Sequence, residues 1–130
     1  MGLDNGIQIR RKTATKEALT AFDDEMCLKY NYDLSVAYWR KCWNVRNIVF
    51  DLLDIEDFND SETTMTADDV ERVVAELRKL NSANFCDRGD CIWYWDDFKR
   101  SNRRNIKNLK RLARLMRKEP TMEVYFYDSW

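Results

Sequence analysis

Four cysteines and no histidine bound the chemistry open to this chain of 130 residues. Without imidazole, it lacks the commonest general base near neutral pH and a frequent zinc ligand. Cys86 and Cys91 flank four residues, a wider spacing than the tight C-x-x-C pair of zinc and redox sites. A four-thiolate zinc site would also need Cys27 and Cys42 brought to the same loop. Cys42 shares a helical stripe with Val45 and Val49, so burial as an ordinary thiol is its simpler role. Free thiols lead, with a local disulfide, a redox switch and zinc as alternatives, and no metal or cofactor is expected.

Two other stretches imitate sites. Arg88-Gly89-Asp90 spells an adhesion triplet, but Gly89 between two charged residues serves first as a turn residue, free in φ. Residues 57–62 begin like a calcium loop. Counted from Asp57, the sharp-turn Gly position holds Glu62, and the twelfth position holds Asp68 rather than Glu. The chain carries no phosphate-binding loop, dinucleotide fingerprint, nucleophile elbow or H-E-x-x-H helix. Acidic residues are plentiful, yet a pair at catalytic separation is a property of a fold, not of a sequence. A small enzyme is therefore the third-ranked class.

The elements that position these residues come from a chain of one domain's length, 1–130, enough to bury a sizeable core without staples. Hydrophobic residues are 45% and charged residues 35%, a globular balance. Three Gly and one Pro argue for long regular elements. Five Trp, six Tyr and six Phe supply either a well-packed core or an aromatic contact surface. No apolar run suits a secretory signal or a membrane span, and Gly2 lacks the Ser or Thr at position 6 that myristoylation requires. A cytoplasmic location without membrane contact is expected.

Ile7 and Ile9 alternate with Gln8 and Arg10, which predicts a short strand. A helix is expected from about Lys16 to Lys29, with Leu19, Phe22 and Met26 on one side. Asp33 or Ser35 is placed to cap a second helix reaching Leu53, on which Tyr38, Cys42, Val45, Val49 and Leu52 recur at three- and four-residue steps. Thr66 and Asp69 resemble a capping box ahead of the stripe Val70, Val73, Val74, Leu77 and Leu80. Residues 81–93 read as a connection, with a short strand around Cys91 to Trp93. The longest helix starts between Tyr94 and Phe98 and stops before Pro120. Met122, Val124 and Phe126 then alternate as a terminal strand whose natural partner is the Ile7/Ile9 strand. The expected fold is α+β, about four helices around a small antiparallel sheet of the N- and C-terminal strands. The same two strands could instead exchange between subunits, so a homo-oligomer stays open.

Charge is unevenly spread. Residues 99–118 hold ten Lys or Arg and no acid, leaving twelve basic against 23 acidic residues elsewhere. On that helix Phe98, Ile106, Leu109, Leu112, Ala113 and Met116 gather on one side, opposite Lys99, Arg103, Lys107, Lys110, Arg114 and Arg117. The second group could follow a phosphate backbone, with Asn102, Asn105 and Asn108 adding hydrogen bonds, although no DNA-reading motif is present. Solvation, an internal acidic neighbour or an acidic protein partner explains the same stripe. The indoles divide similarly. Tyr38 is expected in the core, while Trp39, Arg40, Trp43, Trp93, Trp95 and Trp130 form either core or, if exposed together, an interaction patch.

The segments MGLDNGI, YWRKCWNVRNIV and YFYDSW resemble an uncharacterised family of small phage and prophage proteins, which commonly start MGLD, carry a YWRK helix and finish near Ser-Trp. Residues 85–95 match its aromatic centre more loosely. The family often has a His and then a Trp following YWRK; here Arg46 and Ile48 stand in that neighbourhood, so no imidazole-dependent role carries over. The resemblance implies a phage-related context and no chemistry. The leading expectation is thus a non-enzymatic intracellular accessory protein acting through contacts with an unidentified protein partner. A nucleic-acid-associated protein using the 99–118 face is the alternative.

Overall fold

The computed structural model describes residues 4–23, 29–56, 61–85 and 94–129. Met26, Cys27, Cys86, Cys91, the Arg88-Gly89-Asp90 triplet, residues 57–60, the strand expected at 91–93, Trp93 and Trp130 lie outside them. The described residues form strand β1 (Asp4–Ile9), a 3-10 turn (Arg11–Thr13), helix α1 (Lys16–Phe22), strand β2 (Leu34–Arg40) and helix α2 (Trp43–Leu53). Strand β3 (Ser61–Thr64), helix α3 (Ala67–Arg78), helix α4 (Trp95–Lys118) and strand β4 (Val124–Ser129) complete them. The architecture is the α+β one expected.

The four strands make one antiparallel sheet in the order β2-β1-β4-β3. The terminal strands pair as anticipated, Ile7 opposite Phe126 and Ile9 opposite Val124. Strand alternation then sorts the side chains. Ile7, Ile9, Leu34, Ala37, Trp39, Val124 and Phe126 are buried on one face. Val45 and Val49 of α2, Val70, Val73 and Leu77 of α3, and Leu109 and Leu112 of α4 are buried in the same core. The opposite face carries Gln8, Tyr38, Glu62, Tyr125 and Tyr127. There Gly6 is obligatory, because a Cβ would stand 2.5 Å from Cε1 of Tyr127 and 2.8 Å from the carbonyl oxygen of Ala37.

Two expected helices are corrected. Residues 34–40 form a strand, not the first turns of a helix running to Leu53, and the helix starts only at Trp43. A bulge opposite Ile7 and Gln8 leaves Val36 as an extra residue, so Val36 and Ala37 are both buried and the alternation is broken. Lys41, at φ 50°, then turns the chain out of the strand. In consequence Tyr38 faces solvent, 44% exposed, and Trp39 takes the core position instead. Helix α1 ends at Phe22 rather than near Lys29; its start is capped by Thr15, whose hydroxyl accepts from the N–H of Ala18 at 3.1 Å.

The other helices follow expectation. Thr66 and Asp69 form the reciprocal capping box at the start of α3. Helix α4 runs 24 residues, with Asp96 and Asp97 in its first turn and Arg117 and Lys118 in its last, both favourable to the helix dipole. Strand β3 was not anticipated: Ser61-Glu62-Thr63-Thr64 has no apolar alternation, and it is a strand because β4 offers it an edge.

One polar cluster interrupts the core. Asp128, fully buried, accepts from Nε of Arg46 at 2.8 Å and from Nδ2 of Asn5 at 2.7 Å, and the guanidinium stacks 4.0 Å from the Phe50 ring centroid. Asn5, Arg46 and Asp128 belong to β1, α2 and β4, and this contact ties the three elements together.

Candidate functional site

Helix α4 has a sharply divided surface. Phe98, Asn102, Asn105, Leu109, Leu112, Ala113, Leu115 and Met116 are buried, and all ten basic residues between Lys99 and Lys118 are exposed. At about 100° per residue, those ten fall within an arc of roughly 140° in which, from Lys99 onward, no apolar side chain stands.

Three members of the arc are compensated. Arg117 donates to Asp68 at 2.8 Å and to Glu71 at 3.1 Å, both on α3, and these contacts raise its pKa above the ordinary arginine value. Arg100 lies 3.7 Å from Asp97, and Lys118 lies 4.0 Å from Glu17. Lys99, Arg103, Arg104, Lys107, Lys110, Arg111 and Arg114 make no ion pair with any described residue. From Lys99 to Arg114 the rise is about 22 Å. Seven exposed cations without acidic partners along that length form the strongest charge concentration among the described residues.

Of the six cations expected to project together, five remain in this uncompensated set, and Arg117 leaves it. Arg104 and Arg111 join it. Their place on the same arc was legible from helical spacing alone. The expected role of the asparagines is overturned. Asn102 donates to the carbonyl of Leu77, Asn105 to that of Tyr38 and Asn108 to that of Val36, each at 3.2 Å. They point inward and are taken by backbone. The two contacts to β2 lie on the outer edge of the sheet, where unpaired carbonyls would otherwise face solvent, and they hold α4 alongside that edge.

The indole patch does not assemble among the described residues. Trp39 is 3% exposed and belongs to the core. Trp43 is half-buried, 5.1 Å from the Arg46 guanidinium, and Trp95 packs with Phe85 and Phe98. Arg40 is exposed at the end of β2. Cys42 is buried, as its stripe suggested. The exposed aromatics are instead tyrosines: Tyr30, Tyr32, Tyr38 and Tyr94.

The open face of the sheet carries a second, mixed-charge group. Tyr125 donates to Asp33 at 2.6 Å beneath the guanidinium of Arg10, which also reaches Glu62. Burial pulls the Asp33 carboxyl upward, but Tyr125, the Arg11 N–H and Arg10 together hold it below the ordinary value. Burial, then the neighbouring Asp4, pushes Tyr127 up to about 12. Arg10, Asp33, Glu62 and Tyr125 satisfy one another.

A groove of about 620 Å³ lies between β3 and the end of α4, lined chiefly by Met65, Met116, Pro120, Met122 and Val124, with Arg117 and Glu123 its only charged residues. It gathers no convergent polar constellation of the kind catalysis uses. Among the described residues no group of three or more Cys, Asp or Glu is placed to hold a metal ion, and no helix is long and apolar enough to cross a membrane. Comparison with known proteins returned no matching family model, curated protein or solved structure.

Proposed function

We propose that the protein is a non-enzymatic binding protein whose α4 face engages the phosphate backbone of a nucleic acid. The observation that carries this reading is the set of seven exposed cations from Lys99 to Arg114 with no ion-pair partner among the described residues. Phosphates demand cations and nothing else from such a face. An acidic protein is the second reading, favoured by the same charge. Protein interfaces, however, rest on buried aromatic or aliphatic anchors and are poor in Lys. The α4 arc itself has three Lys among its seven cations and no apolar side chain within it, the exposed tyrosines standing outside it, which favours nucleic acid. A phage or prophage context rests on the MGLD, YWRK and Ser-Trp segments of the sequence alone.

Equilibrium binding of the full chain to DNA and RNA across a salt series tests the proposal. If all seven cations release counterions, log K falls with log salt at a slope of about −5 to −6. Lys107→Gln and Arg103→Gln should each weaken binding and flatten the slope by nearly one. Arg117→Gln, already neutralised by Asp68 and Glu71, should leave both unchanged. Absence of salt-dependent binding, or equal effects of Arg117→Gln and Lys107→Gln, would sink the reading. Capture of an acidic protein by an interface lost in the same glutamine variants would transfer it to the second.

A further inference from the structure

The aromatic residues beside the basic stripe distinguish one kind of nucleic acid from another, a distinction that rests on the phosphate-binding role proposed for α4. Four large hydrophobic side chains are exposed among the described residues, and all are tyrosines: Tyr30 at 48%, Tyr32 at 59%, Tyr38 at 44% and Tyr94 at 81%. Their positions are not scattered. Tyr94 is the residue that caps α4, Tyr38 lies on β2, and Tyr30 and Tyr32 lie on the segment leading into β2.

Strand β2 is the element that flanks α4. Asn105 donates to the carbonyl of Tyr38 and Asn108 to that of Val36, so the strand descends as the helix ascends. That antiparallel alignment sets Tyr94 at the start of the helix and Tyr38 beside its middle. The Tyr30–Tyr32 pair lies on the segment that enters β2, beside Arg11. On the helical wheel Arg104 and Arg111 are the cations nearest the β2 side, next to Asn108 and Ser101. Ser101 and Tyr38 line one small cleft. Exposed rings therefore stand at the start of the basic helix and beside its middle.

Three of the four rings are held by contacts within the protein. Tyr38 donates its hydroxyl to Asp4 at 2.6 Å, which fixes where the ring stands while leaving a face open. Tyr30 and Tyr32 stack on each other, centroids 5.6 Å apart at 25°. The carbonyl of Tyr32 accepts from Arg11 at 3.2 Å. Duplex bases are stacked within the helix and give such rings nothing to bind. Unpaired bases expose their faces, and interleaved cations and aromatic platforms are how proteins hold them without reading sequence.

We infer that the α4–β2 surface binds single-stranded nucleic acid, with the phosphates along Arg104, Lys107, Arg111 and Arg114 and unpaired bases stacking on Tyr38 and Tyr94.

The test compares the full chain bound to an oligothymidylate, an oligouridylate and a mixed-sequence duplex of equal length at one salt concentration. The single strands should bind at least about tenfold tighter than the duplex. Tyr94→Ala, at a helix start where the side chain makes no capping bond, should weaken single-strand binding by roughly tenfold and leave duplex binding unchanged. Tyr38→Ala should do the same, whereas Tyr38→Phe, which keeps the ring and loses only the Asp4 contact, should bind nearly as the parent does. Equal or tighter duplex binding, or alanine variants that bind single strands like the parent, would overturn the inference and leave the α4 proposal standing. Failure to bind any of the three probes in a salt-dependent way would remove the proposal beneath it as well.

Discussion

Arg46 meets Asp128 across 82 positions of sequence, with Nε 2.8 Å from Oδ1 and a terminal nitrogen 3.0 Å from Oδ2. Both side chains are essentially without solvent, at 5% and 0% exposure. A paired buried charge adds little net stability, but an orphaned one costs much. Asp128→Asn should therefore destabilise the fold by about 3–5 kcal/mol, and Arg46→Met by a comparable amount. The double variant Arg46→Met, Asp128→Leu should recover most of that loss. Urea denaturation of the three variants decides the matter; a double variant no more stable than either single one would contradict the account.

Gly6 and Tyr127 make a second, steric prediction. Gly6→Ala places a methyl 2.5 Å from an aromatic carbon and 2.8 Å from the Ala37 carbonyl, and backbone cannot yield as a side chain can. The expected loss is about 1–3 kcal/mol. Adding Tyr127→Ala should relieve only the ring contact, so the pair of substitutions should be less than additive in thermal unfolding. Strict additivity would show that the ring and the methyl never compete.

Asp33 sets a pH dependence. Its folded pKa is below the ordinary 3.8, so its contribution is whole above that value and disappears as pH falls through the lower folded value. The stability difference between the parent and Asp33→Asn should be constant at neutral pH and shrink only below about pH 4. Denaturant midpoints measured down the acid range check this; a difference that widens in acid would reverse the assigned sign. Tyr125→Phe should bring the carboxyl part of the way back, visible in a carboxylate NMR titration.

Much of this architecture was legible before folding. The capping residues of α3, the Val70–Leu77 stripe and the unbroken amphipathic pattern of α4 are local signals, and local signals survive tertiary context. The strand at 34–40 was hidden for a physical reason. Its bulge puts Val36 and Ala37 side by side in the core, which breaks period two, while Cys42, Val45 and Val49 continue a helical period just beyond it. The turn between them depends on a lysine, Lys41, in a conformation that residue type does not announce. At the candidate site the arc of cations could be read from spacing. The same spacing put Asn102, Asn105 and Asn108 on the buried side, a cue that polarity obscured. That Arg117 is neutralised while Lys107 is not depends on where α3 lies, and no spacing within α4 carries that information.

The asparagine contacts to β2 have a consequence for how copies of this sheet can join. With the Val36 and Tyr38 carbonyls already taken, a strand added at that edge would have to displace the side chains of Asn105 and Asn108. Edge-to-edge joining at β2 would cost these two hydrogen bonds before any new one formed, so the asparagines guard that edge as charged or covering groups do elsewhere.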